Sequence, residues 1–448
     1  MKRTGWIGIL TVMALLAGSC GMKTPASPPP VQETSSNTAG STQPPSVPAS
    51  PPGSPSPSQP QYSPSASPSP SPSEKDPVAE KLASMSLEEK VGQMVLAGVE
   101  GTVLDAVAAK MIARDHVGGI ILFKNNLSGG IGSSVKLLNA LKKANRGNPA
   151  PLFLSVDQEG GRVSRLPPSF EPMPANAVVG RTGDPKLAKR MGSLIARQLK
   201  LLGFNVDFAP VLDVNSNPKN PVIGDRSFGN TAALVSRMGT AEMEGIRGDG
   251  VIPVVKHFPG HGDTAVDSHL DLPVVRKTAA EVAKMEWIPF QKAIHDGADA
   301  VMVAHILFPR IDPDAPASLS KVIIGQQLRG KLGFDGVVIT DDLTMGAIAK
   351  HYGIAEAALK SVEAGSDILL VAHGYDTEHG VYEALLKAVR DGRITEDRIN
   401  RSVERILKLK RKYALSDGAV AVPKTSDLPN SAIRQWLADV NAATKAKK

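Results

Sequence analysis

Val254-Val-Lys-His-Phe-Pro-Gly-His-Gly-Asp-Thr-Ala-Val-Asp-Ser-His269 is the stretch on which the reading of this chain turns. An apolar run from Val251 to Val255 stops at Lys256 and His257. A Gly- and Pro-bearing loop follows, carrying His261, Asp263, Asp267 and His269. Three of the nine histidines fall here, beside two carboxylates and a lysine. Groups that resist burial seldom gather on a purely structural segment. A strand that stops in such a cluster is the wall and lip of an active site.

Outward from this stretch the same theme recurs. Short β-type runs occupy Met94–Gly98, Gly119–Phe123, Leu152–Asp157, Asn205–Ala209, Val251–His257, Ala300–Ile306, Gly336–Thr340 and Asp367–Ala372. Helical patterns lie between them at Leu187–Leu202, Ala232–Ile246, Ala279–Asp296, Lys321–Leu332, Ile354–Ala364 and Tyr382–Asp391, with Ser86-Leu-Glu-Glu89 as a capping box ahead of an earlier helix. Continuous apolar runs alternating with helices define an α/β chain of parallel β/α units. Eight such units close a (β/α)8 TIM barrel in roughly 250 residues. A doubly wound open sheet is the alternative, but it calls for a Gly-rich dinucleotide loop after an early strand, and none is present. Asp157, Asp207, Lys256–His257, His305, Asp341 and His373 sit at or just beyond the C-terminal ends of apolar runs, whereas only Asp367 sits at a beginning. A barrel gathers those ends on one face, where this architecture keeps its catalytic groups.

The barrel is assigned to residues 76–415, with Thr395–Lys412 as its last amphipathic helix. A tail, 416–448, has one short helical pattern at Ser431–Val440 and leaves no room for a second large domain. Residues 1–19 have basic Lys2 and Arg3, then the apolar run Trp6–Leu16, then Ala17-Gly18-Ser19, the form of a secretory signal peptide. The apolar run is too short for a comfortable membrane span. Cys20 is the only cysteine, so no intrachain disulfide forms. Preceded by small residues and followed by Gly21, it resembles a lipidated lipobox cysteine. Residues 20–75 are mostly Pro, Ser, Thr, Gln, Ala and Gly, a composition expected to form a disordered tether. At roughly 3 Å per residue in polyproline II form, it would reach on the order of 150 Å. The formal charge of +7 is spread among acidic residues, so nucleic acid is not an expected partner, though an anionic cell wall is compatible.

Thr340-Asp341-Asp342-Leu343 closes the seventh run. Asp341 is the better nucleophile candidate, leaving Asp342 to point away or cap the next helix. Asp157-Gln-Glu-Gly-Gly-Arg-Val-Ser-Arg165 closes the third, its paired glycines letting backbone approach a ligand closely. Asp157 and Arg165 are suited to bind hydroxyls, and Asn220–Gly229 adds Arg226 after the fourth run. Carboxylates, Arg, Lys and His without a Ser–His–Asp arrangement suit a sugar better than an acyl group. Zinc held by His257, His261, Asp263 and His269 is a rival reading, but their spacing matches no compact zinc pattern. His261 and Asp263 are read as loop-stabilising, Glu159 as a supporting carboxylate, and His305 and His373 equally as strand-end groups or as satisfied core residues, neither assigned a catalytic role.

Lys256-His-Phe-Pro-Gly-His-Gly-Asp-Thr264 with Asp267-Ser-His269, the Asp157–Arg165 string and Asp341-Asp-Leu343 together resemble glycoside hydrolase family 3. Within it they are most similar to the bacterial NagZ-type β-N-acetylhexosaminidases. The likeness runs from about Pro77 to Tyr413. It implies a retaining, exo-acting β-N-acetylglucosaminidase working through a covalent glycosyl-enzyme, with no cofactor and no metal. Transferred onto matching positions, Asp341 is the nucleophile, His269 the general acid and then base, and Asp267 its partner. Asp157, Arg165, Arg226, Lys256 and His257 would hold the non-reducing N-acetylglucosamine. Histidine suits the acid/base role because its ordinary pKa is near 6.5 and an adjacent aspartate favours the protonated form. The expected partner is a glycan, such as a peptidoglycan fragment. The protein is expected as a monomer, lipid-anchored on the outer face of the bacterial cytoplasmic membrane. The alternatives are a phosphorylase or β-glucosidase of the same family, or a wall-binding lipoprotein without catalysis.

Overall fold

The structure, a computed structural model, describes residues 76–446. The expected signal peptide, Cys20 and the whole of the expected Pro/Ser-rich tether lie outside the described residues. Eight strands appear in chain order: β1 (Val95–Ala97), β2 (Gly119–Ile121), β3 (Phe153–Val156), β4 (Val206–Asp207), β5 (Ile252–Phe258), β6 (Ala300–Val303), β7 (Val337–Thr340) and β8 (Leu369–Val371). Each falls on one of the eight expected runs. Neighbours in the ring pair in parallel, in the order β7-β6-β5-β4-β3-β2-β1-β8. A parallel bridge between Ile339 and Ile368 joins the two ends, and the Thr340 N–H donates to the Ile368 carbonyl at 3.0 Å. The ring is therefore closed, a (β/α)8 barrel.

Every strand residue is buried, because helices cover the outside and side chains fill the inside. That is why the runs are continuously apolar instead of alternating. Leu96, Phe153, Val206, Ile252, Ala300 and Ile339 leave a void of only about 10 Å³ on the axis, so the barrel is a packed core and not a pore. On β5, Val255 pairs with Val301 but Phe258 with Val303. Three steps on one strand oppose two on the other, a bulge of the kind that re-aims side chains beside active sites. Lys256 and His257 are the residues inside it.

Several helices depart from the expected bounds. Ala279–Asp296 is broken into Ala279–Val282 and Trp287–His295. Pro289 explains the break: deep in a continuous helix its ring would meet the carbonyl four residues back, whereas in a first turn it is tolerated. Lys321–Lys331 winds as a π-helix, and the Leu332 N–H reaches back five residues to the Gln327 carbonyl at 2.8 Å. The helix expected from Tyr382 starts at Tyr375. Pro77–Ser84, Ala106–Arg114 and Gly130–Ala144 are further helices. The Ser86–Glu89 capping box forms with both of its hydrogen bonds. Among the described residues, no helix is long and apolar enough to cross a membrane.

The tail is packed onto the barrel. Its helix, Asn430–Lys445, buries Ile433, Trp436 and Val440 completely, and the Trp436 indole N–H donates to the Leu187 carbonyl at 3.1 Å. Asn430 bridges the loop after β3, accepting from the Glu171 N–H at 2.8 Å and donating to the Ser169 carbonyl at 2.9 Å.

Candidate active site

The C-terminal strand ends surround a cleft of about 120 Å³. It is lined by Asp157, Arg165, Arg226, Lys256, His257, His269 and Asp341, together with Val163, Val222, His261, Ser268 and Met302. Seven of the eight candidates named from the sequence thus meet in one space. The eighth, Asp267, stands directly behind His269.

A charge network forms one wall. Lys256 Nζ lies 2.6 Å from Asp157 Oδ1 and 2.7 Å from Glu159 Oε1. Arg226 grips Glu159 with two N–H donors, at 2.8 and 2.7 Å. The Lys256 and Glu159 side chains are 2% and 1% exposed, so neither ion would be tolerated there without the other. Burial pushes the Glu159 carboxyl up, but Arg226 and Lys256 outweigh it and hold the group far below the carboxylate range. Burial likewise works against the Lys256 charge, and Asp157 and Glu159 more than offset it. Glu159 is thus the counter-ion that keeps two cations at the cleft.

His257 is oriented from behind. Its Nδ1 lies 2.6 Å from Asp213 Oδ2, and the His261 N–H donates to Asp213 Oδ1 at 2.6 Å. Asp213 therefore ties the loop after β5 to the segment after β4. Gly262 lets the two backbones touch: a Cβ there would lie 1.8 Å from the Val214 carbonyl oxygen. Sequence reasoning passed over Asp213, although a carboxylate shortly after the fourth run is the same signal that singled out Asp157 and Asp341. Asp207, grouped with the strand-end residues, does not line the cleft. It is fully buried, accepts the Gln158 N–H at 3.0 Å, and burial pushes its carboxyl well above the ordinary range.

Asp341 and Asp342 divide as expected. Asp342 is turned away, its oxygens taken by Thr344 N–H and Ala372 N–H at 3.0 Å each and by Thr344 Oγ1 at 2.6 Å. Asp341 Oδ1 accepts the Asp342 N–H at 2.9 Å, which leaves Oδ2 available to the cleft. Burial raises its carboxyl, but the imidazoles of His305 and His257, the Asp342 N–H and His269 together bring it below the usual value. His305 is fully buried, with Nδ1 on Ser318 Oγ at 2.7 Å and Nε2 on the Asp342 carbonyl at 3.0 Å. His373, for which a core position is one of two sequence readings, is 61% exposed and stacks on Phe123 at 5.0 Å. Strand β8 ends two residues before it, too early to carry it inside.

His269 sits on the loop with its side chain 65% exposed. Asp267 Oδ1 accepts its backbone N–H at 2.9 Å and lies 2.8 Å from Nδ1. With Nδ1 engaged, Nε2 is the nitrogen left to exchange a proton. The loop is seated on the segment after β7. The Ala347 N–H donates to the Ser268 carbonyl at 3.0 Å, Lys350 Nζ to the Leu270 carbonyl at 2.6 Å, and His351 Nε2 lies 2.6 Å from Asp271 Oδ1. The rival zinc quartet disperses into separate partners: His257 on Asp213, His261 on Thr264 and Ser268, Asp263 on Lys277, His269 on Asp267. Among the described residues, no group of three or more His, Cys, Asp or Glu is arranged to hold a metal ion.

A closed barrel with Asp, His, Lys and Arg converging on its C-terminal mouth has the form of a TIM-barrel enzyme, and comparison with known proteins gives its class. Residues 86–409 match the Glycosyl hydrolase family 3 N terminal domain, and the chain belongs to that family of glycoside hydrolases. It is 35% identical over 367 residues to Beta-hexosaminidase A of Pseudoalteromonas piscicida, covering 76% of this chain but only 61% of that protein. It is 36% identical to Beta-hexosaminidase LpqI of Mycobacterium tuberculosis, covering 73% of this chain and 84% of the relative. A glycoside hydrolase family 3 β-N-acetylglucosaminidase from Paenibacillus sp. superposes with a TM-score of 0.78 at 45% identity, over 81% of this chain and 69% of the other.

Proposed function

We propose that the chain is a retaining, exo-acting β-N-acetylglucosaminidase that removes terminal β-linked N-acetylglucosamine from cell-wall fragments or related glycans. The observation that carries this is the meeting of the Asp341 carboxylate and the His269 imidazole on one cleft. Asp341 Oδ2 attacks the anomeric carbon while the glycosidic C–O bond breaks, and His269 Nε2 gives its proton to the leaving oxygen. The now neutral Nε2 takes a proton from water, whose oxygen attacks the same carbon. The bond to Asp341 breaks, and sugar and enzyme are released. Asp267 holds the imidazole in the tautomer this requires. Asp157, Arg165, Arg226, Lys256 and His257 bind the sugar hydroxyls, with the Glu159 anion balancing the two cations nearest it.

The relatives' hexosaminidase names support the choice of sugar. The deciding assay compares an aryl β-N-acetylglucosaminide with the β-glucoside, with and without phosphate. Hydrolysis of the first, unchanged by phosphate, is expected. Glucoside preference or formation of a sugar phosphate would replace the reading with a β-glucosidase or a phosphorylase. From the sequence alone we further propose a monomer anchored outside the cytoplasmic membrane through lipidated Cys20. Detergent-phase partitioning that persists in Cys20→Ser would refute the anchor.

A further inference from the structure

The short segment Val163–Leu166 has two faces. Val163 and Arg165 line the cleft just described, whereas Ser164 and Leu166 line a second cavity of about 250 Å³. Alternate residues of an extended segment point to opposite sides, so the two cavities stand back to back across one chain's thickness. Leu166, Pro167, Phe170 and Pro172 make the second cavity's apolar walls. Its polar edge is made by Gln158 and Gln198, each 1% exposed.

Gln198 has an unmet need. Its Nε2 donates to the Glu171 carbonyl at 3.0 Å, but its Oε1 is buried with no hydrogen-bond partner. Such an acceptor wants a hydroxyl or N–H. Charge is not called for: Glu171, which also lines the cavity, is paired with Arg434 at 2.8 Å, and no lysine or arginine lines the space among the described residues. The cavity is smaller than the roughly 300–1,000 Å³ typical of drug-sized sites. A ligand with one apolar face, hydroxyls on its edge, no charge and a single ring satisfies all of these constraints.

We propose that this cavity is a second carbohydrate site, taking one neutral sugar ring, separate from the cleft that contains Asp341. It is wired to that cleft through Gln158. The Gln158 side chain accepts the Arg165 N–H at 2.8 Å and donates to Ser164 Oγ at 3.0 Å. A ring seated against Ser164 therefore bears on the backbone that positions Arg165. The tail completes the site, since Asn430 and Arg434 hold its Glu171 wall in place.

The test is calorimetric titration of the full chain with N-acetylglucosamine. Wild type is expected to bind two equivalents. Gln198→Leu should weaken one of them by at least about fivefold, the loss of one hydrogen bond, and leave the other intact. Pro172→Trp, at an exposed lip where bulk does not disturb the core, should abolish the same one. Asp157→Ala should affect the complementary equivalent. A single equivalent removed by Asp157→Ala and untouched by Gln198→Leu and Pro172→Trp would overturn the inference while leaving the proposed activity standing. Two equivalents that both survive the cavity variants would also overturn it. Absence of turnover on any glycoside would count against the activity alone, because the second site is read from its own lining.

Discussion

In the proposed mechanism Asp341 and His269 carry the chemistry, and their surroundings set how each would fail. Asp341→Asn keeps the shape but cannot form the glycosyl bond, so turnover is expected to vanish while sugar binding by calorimetry persists. Residual full activity would shift the nucleophile to Asp342. His269→Ala removes proton delivery, a contribution of about 10²–10⁴-fold. The loss should be large for alkyl or sugar leaving groups and small for activated aryl glycosides, and equal losses would contradict the acid role. A third residue governs stability. His261 is buried, and burial, then the neighbouring His257, lowers its pKa to about 4. Between that value and the unfolded value near 6.5, the unfolded chain binds the proton and the folded one does not. Its stabilising contribution is therefore complete above about pH 6.5 and falls as pH drops toward 4, by up to about 3 kcal/mol. His305, also lowered by burial, acts in the same direction. Melting temperatures of wild type and His261→Gln across pH 4–7 should converge at the acid end.

At the scale of elements, the loop after β5 and the turn after β7 form a seat and its load. A Cβ on Gly346 would lie 2.5 Å from the His269 carbonyl oxygen and 2.9 Å from that of Leu270. Gly346→Ala must push the His269 loop outward, so kcat on poor leaving groups should fall by at least about tenfold with only a small change in melting temperature, because the loop is exposed. Unchanged kcat would show that the loop tolerates displacement. The same elements mark where sequence reading succeeds and where it stops. Barrel strands are buried on both faces, so their apolar runs and the titratable residues at their ends stand out without coordinates. The break before Trp287 and the π-helical turn of Lys321–Lys331 depend on how each segment meets its neighbours, which periodicity does not encode. Asp213 escaped notice because its importance lies in reaching His257 and His261 across two loops. The cavity behind Arg165 needed the side-chain directions of Val163–Leu166.

At the scale of the whole molecule, the barrel and the tail behave as one packed body. Trp436 is fully buried against the helix Pro185–Leu202, and Trp436→Ala should cost about 3–5 kcal/mol. Chemical denaturation measures that directly, and a loss below about 1 kcal/mol would mean the tail rests on the surface without supporting it. The tail helix also reaches, through Asn430 and Arg434, the loop that ends a few residues from Arg165. Immobilising the enzyme on a bead by a tag beyond Lys445 would therefore pull on the stretch of backbone that leads to Arg165 at the cleft. A handle on the opposite flank of the barrel is the safer choice for any sensor or reactor made from it.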